Sequence, residues 1–63
     1  MKNKTNISTI KYGDWIEVDG EAGSVVSIDR DESGALVSVE LFDGRESWTE
    51  TLETLQSGSI LIG

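Results

Sequence analysis

One stretch of the sequence has the ligand spacing of a calcium loop. Asp29, Asp31 and Ser33 alternate, and Glu40 occupies the twelfth position, as in the EF-hand pattern. An EF-hand needs flanking helices, but the flanking sequences SVVSI and ALVSVELF are rich in β-branched residues and favour strands. In an extended strand Glu40 would lie about 13 Å from Leu36, too far to complete a ring of ligands. We therefore predict no complete metal site, with Asp29, Asp31 and Ser33 kept as a weak candidate.

The second group of candidate residues is aromatic and consists of Tyr12, Trp15, Phe42 and Trp48. Successive residues of a strand point to opposite faces, so Trp15 is expected on the face opposite its apolar neighbour Ile16. We predict that Trp15 is partly exposed and that Trp48 belongs to the core. Two tryptophans in so small a domain cannot both be buried easily.

An exposed Trp15 beside Asp14 and Glu17 would attract lysine or arginine through its ring and the two carboxylates. The predicted partner-binding residues are Trp15, Asp14, Glu17, Tyr12 and Phe42. The alternative is that Trp15 only covers one end of the core.

The composition limits the chemistry further. There is no cysteine and no histidine, which excludes disulfides, thiolate or imidazole metal sites, and Cys/His or Ser/His catalysis. Paired carboxylates can hydrolyse glycosides, but that chemistry needs a deep cleft, for which a chain of 63 residues has no spare volume. We predict a protein that is not an enzyme and has no cofactor.

The charge is strongly negative and unevenly distributed. Lys2, Lys4 and Lys11 lie near the N-terminus. The chain from residue 13 onward contains two arginines and all 12 carboxylates, so its net charge is −10. Such a body repels phosphate backbones, so direct nucleic-acid binding is disfavoured, even with the lysines as a basic arm. The acidity favours either solubility alone or a basic protein partner.

The first nine residues, MKNKTNIST, are polar and lack the apolar stretch of a signal peptide. No apolar run in the chain approaches the roughly 20 residues of a membrane helix. We expect a cytoplasmic protein without membrane contact, with a flexible polar tail over residues 1–9 and one domain over residues 10–63.

Short runs rich in valine and isoleucine, separated by glycine turns, predict an all-β fold. The predicted strands are Asp14 to Val18, Ser24 to Arg30, Ala35 to Phe42, Arg45 to Thr51 and Ser59 to Ile62. Five short strands indicate a small barrel or a strongly bent sheet. Leucines three apart in Leu52 to Leu55 predict one 3₁₀ or helical turn before the last strand.

The register of the central strands follows from matching apolar faces. A four-residue turn over residues 31–34 sets Ile28 opposite Val37 and Val26 opposite Val39. A two-residue type I′ turn at Asp43-Gly44 then sets Val39 opposite Trp48 and Phe42 opposite Arg45. Glu46 and Glu50 would share the face of Trp48, which indicates a bend, a bulge or an exposed edge.

The same scheme predicts which residues are buried and which form turns. Gly20, Gly23, Gly34 and Gly44 are expected in turns or bulges. The predicted core consists of Ile16, Val18, Val26, Ile28, Val37, Val39, Leu52, Leu55 and Ile60.

The stretch GDWIEVDGEAGSVVSI, residues 13–28, resembles the small β domain of small-conductance mechanosensitive channels. The pattern from Gly23 to Gly44, a Gly-x-Val, a turn, a valine-rich strand and Asp-Gly, resembles KOW and Tudor-type SH3-like barrels. The resemblance implies an all-β fold that is a single small five-stranded SH3-like barrel. The Pro-Asn turn and membrane helices of the channels and the basic residues of nucleic-acid-binding KOW domains are missing, so it does not imply those functions.

Our leading hypothesis is an acidic protein-interaction module that docks on a basic protein surface or peptide. A variant is an inhibitor that mimics the charge of nucleic acid. The alternative, from another class, is a calcium-responsive domain that uses the Asp29-Asp31-Ser33 turn.

Overall fold

The computed structural model describes residues 7–62, apart from the side chain of Ser8. A 3₁₀ turn, Ile7–Thr9, precedes the first strand. The strands are β1 (Trp15–Val18), β2 (Glu21–Arg30), β3 (Leu36–Phe42), β4 (Ser47–Thr51) and β5 (Ile60–Ile62), and the helix α1 (Leu52–Ser57) lies between β4 and β5.

All five strands belong to one antiparallel sheet with the order β4-β3-β2-β1-β5. The all-β prediction, with five strands and one helical turn before the last, is therefore confirmed. Within residues 7–62 the sheet is open, because β4 and β5 lie at its two edges. Closure into an SH3-like barrel stays a prediction.

One face of the sheet carries the core. Among residues 7–62, eight apolar side chains are buried, namely Ile10, Ile16, Val18, Val25, Leu36, Val39, Leu41 and Leu55. Partly buried residues pack against them, including Ile7, Ile28, Trp48, Leu52 and Ile60. Ile7 lies in the last three residues of the predicted tail, and residues 1–6 are outside the described part of the chain.

The predicted register between β2 and β3 is wrong by two residues at Ile28 and by one residue at Val25. Ile28 pairs with Val39 and Val25 pairs with Leu41, with irregularities that leave Val26 and Val37 as extra residues. A bulge lets both strands keep their apolar residues on the core face despite an uneven apolar pattern. Val37 is consequently 41% exposed and Val26 only half-buried, although both were predicted to be core.

The positive φ pair of a type I′ turn occurs at Asp19-Gly20, with φ angles of 51° and 89°, in the two-residue connection from β1 to β2. The prediction had placed that turn at Asp43-Gly44, where only Gly44 has a positive φ. The β3–β4 turn instead centres on Gly44 and Arg45, because the N–H of Asp43 donates to the carbonyl of Glu46 at 3.2 Å. The Asp43 carboxylate stabilises this turn by accepting hydrogen bonds from the backbone N–H groups of residues 45 and 46.

The displacement of the turn by one residue shifts the register between β3 and β4. Trp48 pairs with Leu41 and Phe42 pairs with Ser47, in place of the predicted Val39–Trp48 and Phe42–Arg45 pairs. The shift is by two residues, so the side chains of β4 keep their predicted faces.

Gly20, Gly34 and Gly44 lie in turns or bends as predicted, but Gly23 lies inside β2 and is buried. A Cβ atom built on Gly23 would approach the carbonyl oxygen of Phe42 to 3.0 Å. Glycine is therefore required here because the backbone of β3 passes close by, and no turn is involved.

The helix α1 connects the two edges of the sheet. The Thr51 hydroxyl caps it by accepting the N–H of Thr54 at 3.4 Å, and Leu55 inserts into the core. After the helix, the backbone N–H of Ser59 donates to Oδ1 of Asp19 at 2.8 Å, and the N–H of Asp19 donates to the carbonyl of Ser59 at 2.9 Å. These two bonds fasten the β1–β2 turn to the start of β5.

Candidate protein-interaction surface

The two most accessible rings of the sheet lie in one row across three strands. Trp15 of β1 pairs with Ser24 of β2, which pairs with Phe42 of β3. Directly opposed residues share a face, and neighbouring strands are about 4.8 Å apart, so the two ring-bearing backbone positions are about 10 Å apart. Trp15 is 49% exposed and Phe42 is 42% exposed, which agrees with the predicted partial exposure of Trp15.

Each of these rings has a carboxylate two residues along its own strand. Glu17 follows Trp15 in β1, and Glu40 precedes Phe42 in β3. Residues two apart in a strand share a face at a separation of about 6.6 Å. Leu61, which is 62% exposed, pairs with Glu17 from the edge strand β5.

We call this set the acidic-aromatic surface, and it consists of Trp15, Glu17, Ser24, Glu40, Phe42 and Leu61. The prediction from the sequence included Trp15, Glu17 and Phe42. It did not include Ser24, Glu40 or Leu61. The alternation of Leu61 between Ile60 and Ile62 would have indicated that it points outward, but the pairing of its strand with β1 is not visible in the sequence.

Tyr12, also a predicted binding residue, is 73% exposed in the turn before β1. The turn is closed by a hydrogen bond from the N–H of Asp14 to the carbonyl of Lys11 at 3.0 Å. It is fastened to β2 because the N–H of Val25 donates to the carbonyl of Asp14 at 2.8 Å. Tyr12 is therefore held beside the strand that carries Ser24.

Asp14 has a structural role that was not predicted, because its carboxylate stabilises the turn before β1. It is half-buried, and its Oδ2 accepts the backbone N–H of Lys11 at 2.9 Å. The carboxylate adds negative charge near Trp15, but one of its oxygens is engaged in holding the turn.

The only charged residues at the outward positions of β1 to β3, up to Asp29 in β2, are acidic. The pairing places Glu17, Asp29 and Glu40 on the outer face, and no lysine or arginine occupies an outward position between residues 15 and 29 or between residues 36 and 42. The guanidinium of Arg30, at the end of β2, donates to the carbonyls of Gly34 at 3.2 Å and Ile10 at 3.4 Å. Its hydrogen bonds hold backbone segments together.

The candidate cation residues are engaged with their own turn. Oδ1 of Asp31 accepts the N–H of Ser33 at 2.9 Å, the hydroxyl of Ser33 at 2.6 Å and the N–H of Ala35 at 3.0 Å. The Ser33 hydroxyl and then the Ala35 N–H hold the pKa of the Asp31 carboxyl below its usual range. Asp29 lies in β2 opposite Ser38, and no three carboxylates within residues 7–62 are grouped to hold a metal ion.

Glu50 shares the face of Trp48, as the sequence had indicated, and the structure shows how this is accommodated. The indole Nε1 of Trp48 donates to Oε2 of Glu50 at 2.8 Å, and both residues are half-buried. The hydrogen bond satisfies both polar groups at the edge of the core.

A shallow depression of about 320 Å³ lies where the β3–β4 loop meets the starts of β2 and β4. It is lined by Glu21, Ala22, Asp43, Glu46, Ser47 and Trp48. The backbone N–H groups of Glu46 and Arg45 hold the pKa of the Asp43 carboxyl below its usual range. This depression was not expected from the sequence, because Trp48 was predicted to belong to the core.

Among residues 7–62, no helix has the length and apolar character needed to cross a bilayer. Comparisons with protein-family models, with curated proteins and with solved structures found no match to this chain. Function must therefore be inferred from the surface itself.

Proposed function

We propose that this protein is a non-enzymatic, acidic interaction module that binds a basic surface or basic peptide of another protein through the acidic-aromatic surface. The observation that carries the proposal is the pairing of two exposed rings, Trp15 and Phe42, with a carboxylate on the same face of each strand. Tryptophan is enriched among the residues that dominate binding energy at protein interfaces. The cationic groups of lysine and arginine are attracted both to a tryptophan face and to carboxylates.

The charge of the whole chain supports the same partner. A net charge of −7 would accelerate the approach of a basic protein, and this effect weakens with salt. The size and charge also support a variant in which the protein inhibits a nucleic-acid-binding protein by occupying its basic site. The proposal includes the cytoplasmic location predicted from the sequence.

The test begins with an affinity pull-down at low and physiological salt, followed by binding kinetics with the purified partner. We expect Trp15→Ala to increase the dissociation rate about 30-fold, since loss of a central tryptophan costs about 2 kcal/mol or more. Association should slow as salt increases, because charge governs the encounter.

Val37→Ala is a matched control, since Val37 is 41% exposed on β3 but lies outside the acidic-aromatic surface. It should leave both rate constants unchanged. If folded Trp15→Ala and Phe42→Ala proteins bind as tightly as the original, the surface has been assigned wrongly.

A further inference from the structure

Within residues 7–62, the edge strand β4 has a neighbouring strand on one side only, so the backbone groups along its other side are open. In an antiparallel pair, hydrogen-bonded residue pairs alternate with pairs whose N–H and C=O groups point away from each other. The N–H of Asp43 donates to the carbonyl of Glu46 at 3.2 Å, and this pair continues the β3–β4 register. The next pair, Phe42 with Ser47, is therefore of the second kind.

The same alternation along β4 determines whether the backbone N–H and C=O groups of each residue point toward β3 or away from the sheet. Trp48 and Glu50 exchange hydrogen bonds with β3, whereas Ser47 and Thr49 direct their N–H and C=O groups away from the sheet. Ser47 and Thr49 are exposed. They provide two donors and two acceptors in a row.

This edge lacks several features that commonly prevent strand addition. Proteins protect edges with proline, lysine, bulges or a covering segment. β4 contains neither proline nor lysine, and its pairing with β3 runs from Ser47 to Thr51 without an irregularity. The inward-facing Glu50 is hydrogen-bonded to Trp48 and lies on the core side of the strand.

The charge beside the edge determines what kind of strand would fit. Glu21, Asp43 and Glu46 line the depression at the start of β4, together with the ring of Trp48. Glu50 adds a fourth carboxylate on the same side. A second copy of this chain, with a net charge of −7, would be repelled, whereas a basic segment would be attracted.

We propose that the free edge of β4 binds an extended basic segment of a partner protein by backbone pairing, with a lysine or arginine of that segment placed in the depression lined by Glu21, Asp43, Glu46 and Trp48. This site adjoins the acidic-aromatic surface, because Ser47 pairs with Phe42 and Thr49 pairs with Glu40. It differs from that surface in using the backbone groups of β4 in place of the exposed rings. It goes beyond the function proposed above, and either site can fail a test without the other.

The test uses amide NMR of the full chain and a short peptide of alternating lysine and valine. We expect the largest shift changes at the amides of Ser47 and Thr49 and at the indole of Trp48. A peptide of alternating glutamate and valine should produce no shifts. Shift changes confined to Trp15 and Phe42 would overturn the proposal.

Two N-methylated peptides provide a matched pair, one methylated at the lysine amides and one at the valine amides. Only one of these sets of amides can point toward β4. We expect one peptide to bind about tenfold more weakly than the unmodified peptide and the other to bind unchanged, since a few hydrogen bonds are lost. Equal affinity of the two would overturn the backbone-pairing mode.

Thr49→Pro removes an N–H that the sheet does not use, so the protein should stay folded and lose binding. If this variant does not fold, the N-methylated peptides still decide the question on the unaltered protein. Formation of β4-paired dimers without peptide, seen by sedimentation and by shifts at Thr49 that depend on concentration, would overturn the choice of a basic occupant.

Discussion

At the scale of single residues, aspartates shape the turns of this protein. Asp31 and Asp43 each accept hydrogen bonds from backbone N–H groups of the residues that follow them. Both carboxyls consequently have a pKa below the usual range. Negative charge in these turns therefore contributes to folding as well as to solubility.

Asp31→Asn should lower the stability of the protein at neutral pH, and the difference from the original should shrink in acid. The pKa of the Asp31 carboxyl is lower in the folded protein than the value of about 3.9 in the unfolded chain. The stabilisation by this carboxylate is therefore fully present above about pH 3.9 and is lost as the pH falls through the folded-state pKa. Denaturant titrations at pH 7 and near pH 3 measure this.

Glu32→Gln, an exposed change in the same turn, is the control and should be nearly neutral. An Asp31→Asn protein as stable as the original at pH 7 would contradict the role assigned to this carboxylate.

At the scale of elements, β2 is the central strand of the sheet, and it pairs with β1 on one side and with β3 on the other. Its close approach to β3 at Gly23 brings Ser24 between the two rings of the acidic-aromatic surface. A side chain at Gly23 would push β3 away and change the distance between Trp15 and Phe42.

We expect Gly23→Ala to destabilise the protein by about 1 to 3 kcal/mol, as overpacking does in a close-packed region. Thermal or chemical denaturation measures the loss. Ser24→Ala, at the next position of the strand, should cost much less, because Ser24 faces outward and is half-buried. A fully stable Gly23→Ala protein would mean that β2 and β3 can separate without cost.

The sequence was sufficient to predict the five strands and the helical turn before the last of them, because valine-rich runs and glycine turns report on local structure. It did not predict the 3₁₀ turn Ile7–Thr9, which lies in the segment expected to be a flexible tail. It did not predict the registers, since these depend on where bulges and turns absorb extra residues. Val37 shows the reason: its apolar side chain suggested the core, but a bulge turns it to solvent. Trp15 was placed correctly because strict alternation in β1 suffices to assign its face.

At the scale of the whole molecule, Asp19 joins the first hairpin to the last strand. It adopts a φ of 51° and accepts the N–H of Ser59, 40 residues away in the chain. A Cβ atom on Gly58 would lie 2.8 Å from Oδ2 of Asp19, so this junction is closely packed.

Asp19→Ala should destabilise the protein by about 1 to 2 kcal/mol, because it removes an acceptor and places alanine in a left-handed conformation. Asp19→Asn should be close to the original, since asparagine keeps an acceptor and tolerates that conformation. Asp19→Gly, which relieves the backbone but lacks the acceptor, should fall between them. Unfolding midpoints for the three variants test this order, and equal midpoints would contradict it.

The pairing of β5 with β1 also has a consequence for the order in which the protein is made. Strands β1 to β4 are joined by short hairpins and can pair as each leaves the ribosome, but β1 cannot acquire its second neighbour until Ile60–Ile62 has been synthesised. Until then Ile16 and Val18, which end up buried, lie in a strand with an open edge. Until β5 has emerged, the edge of β1 is open to misassociation, and the contact between Asp19 and Ser59 cannot form.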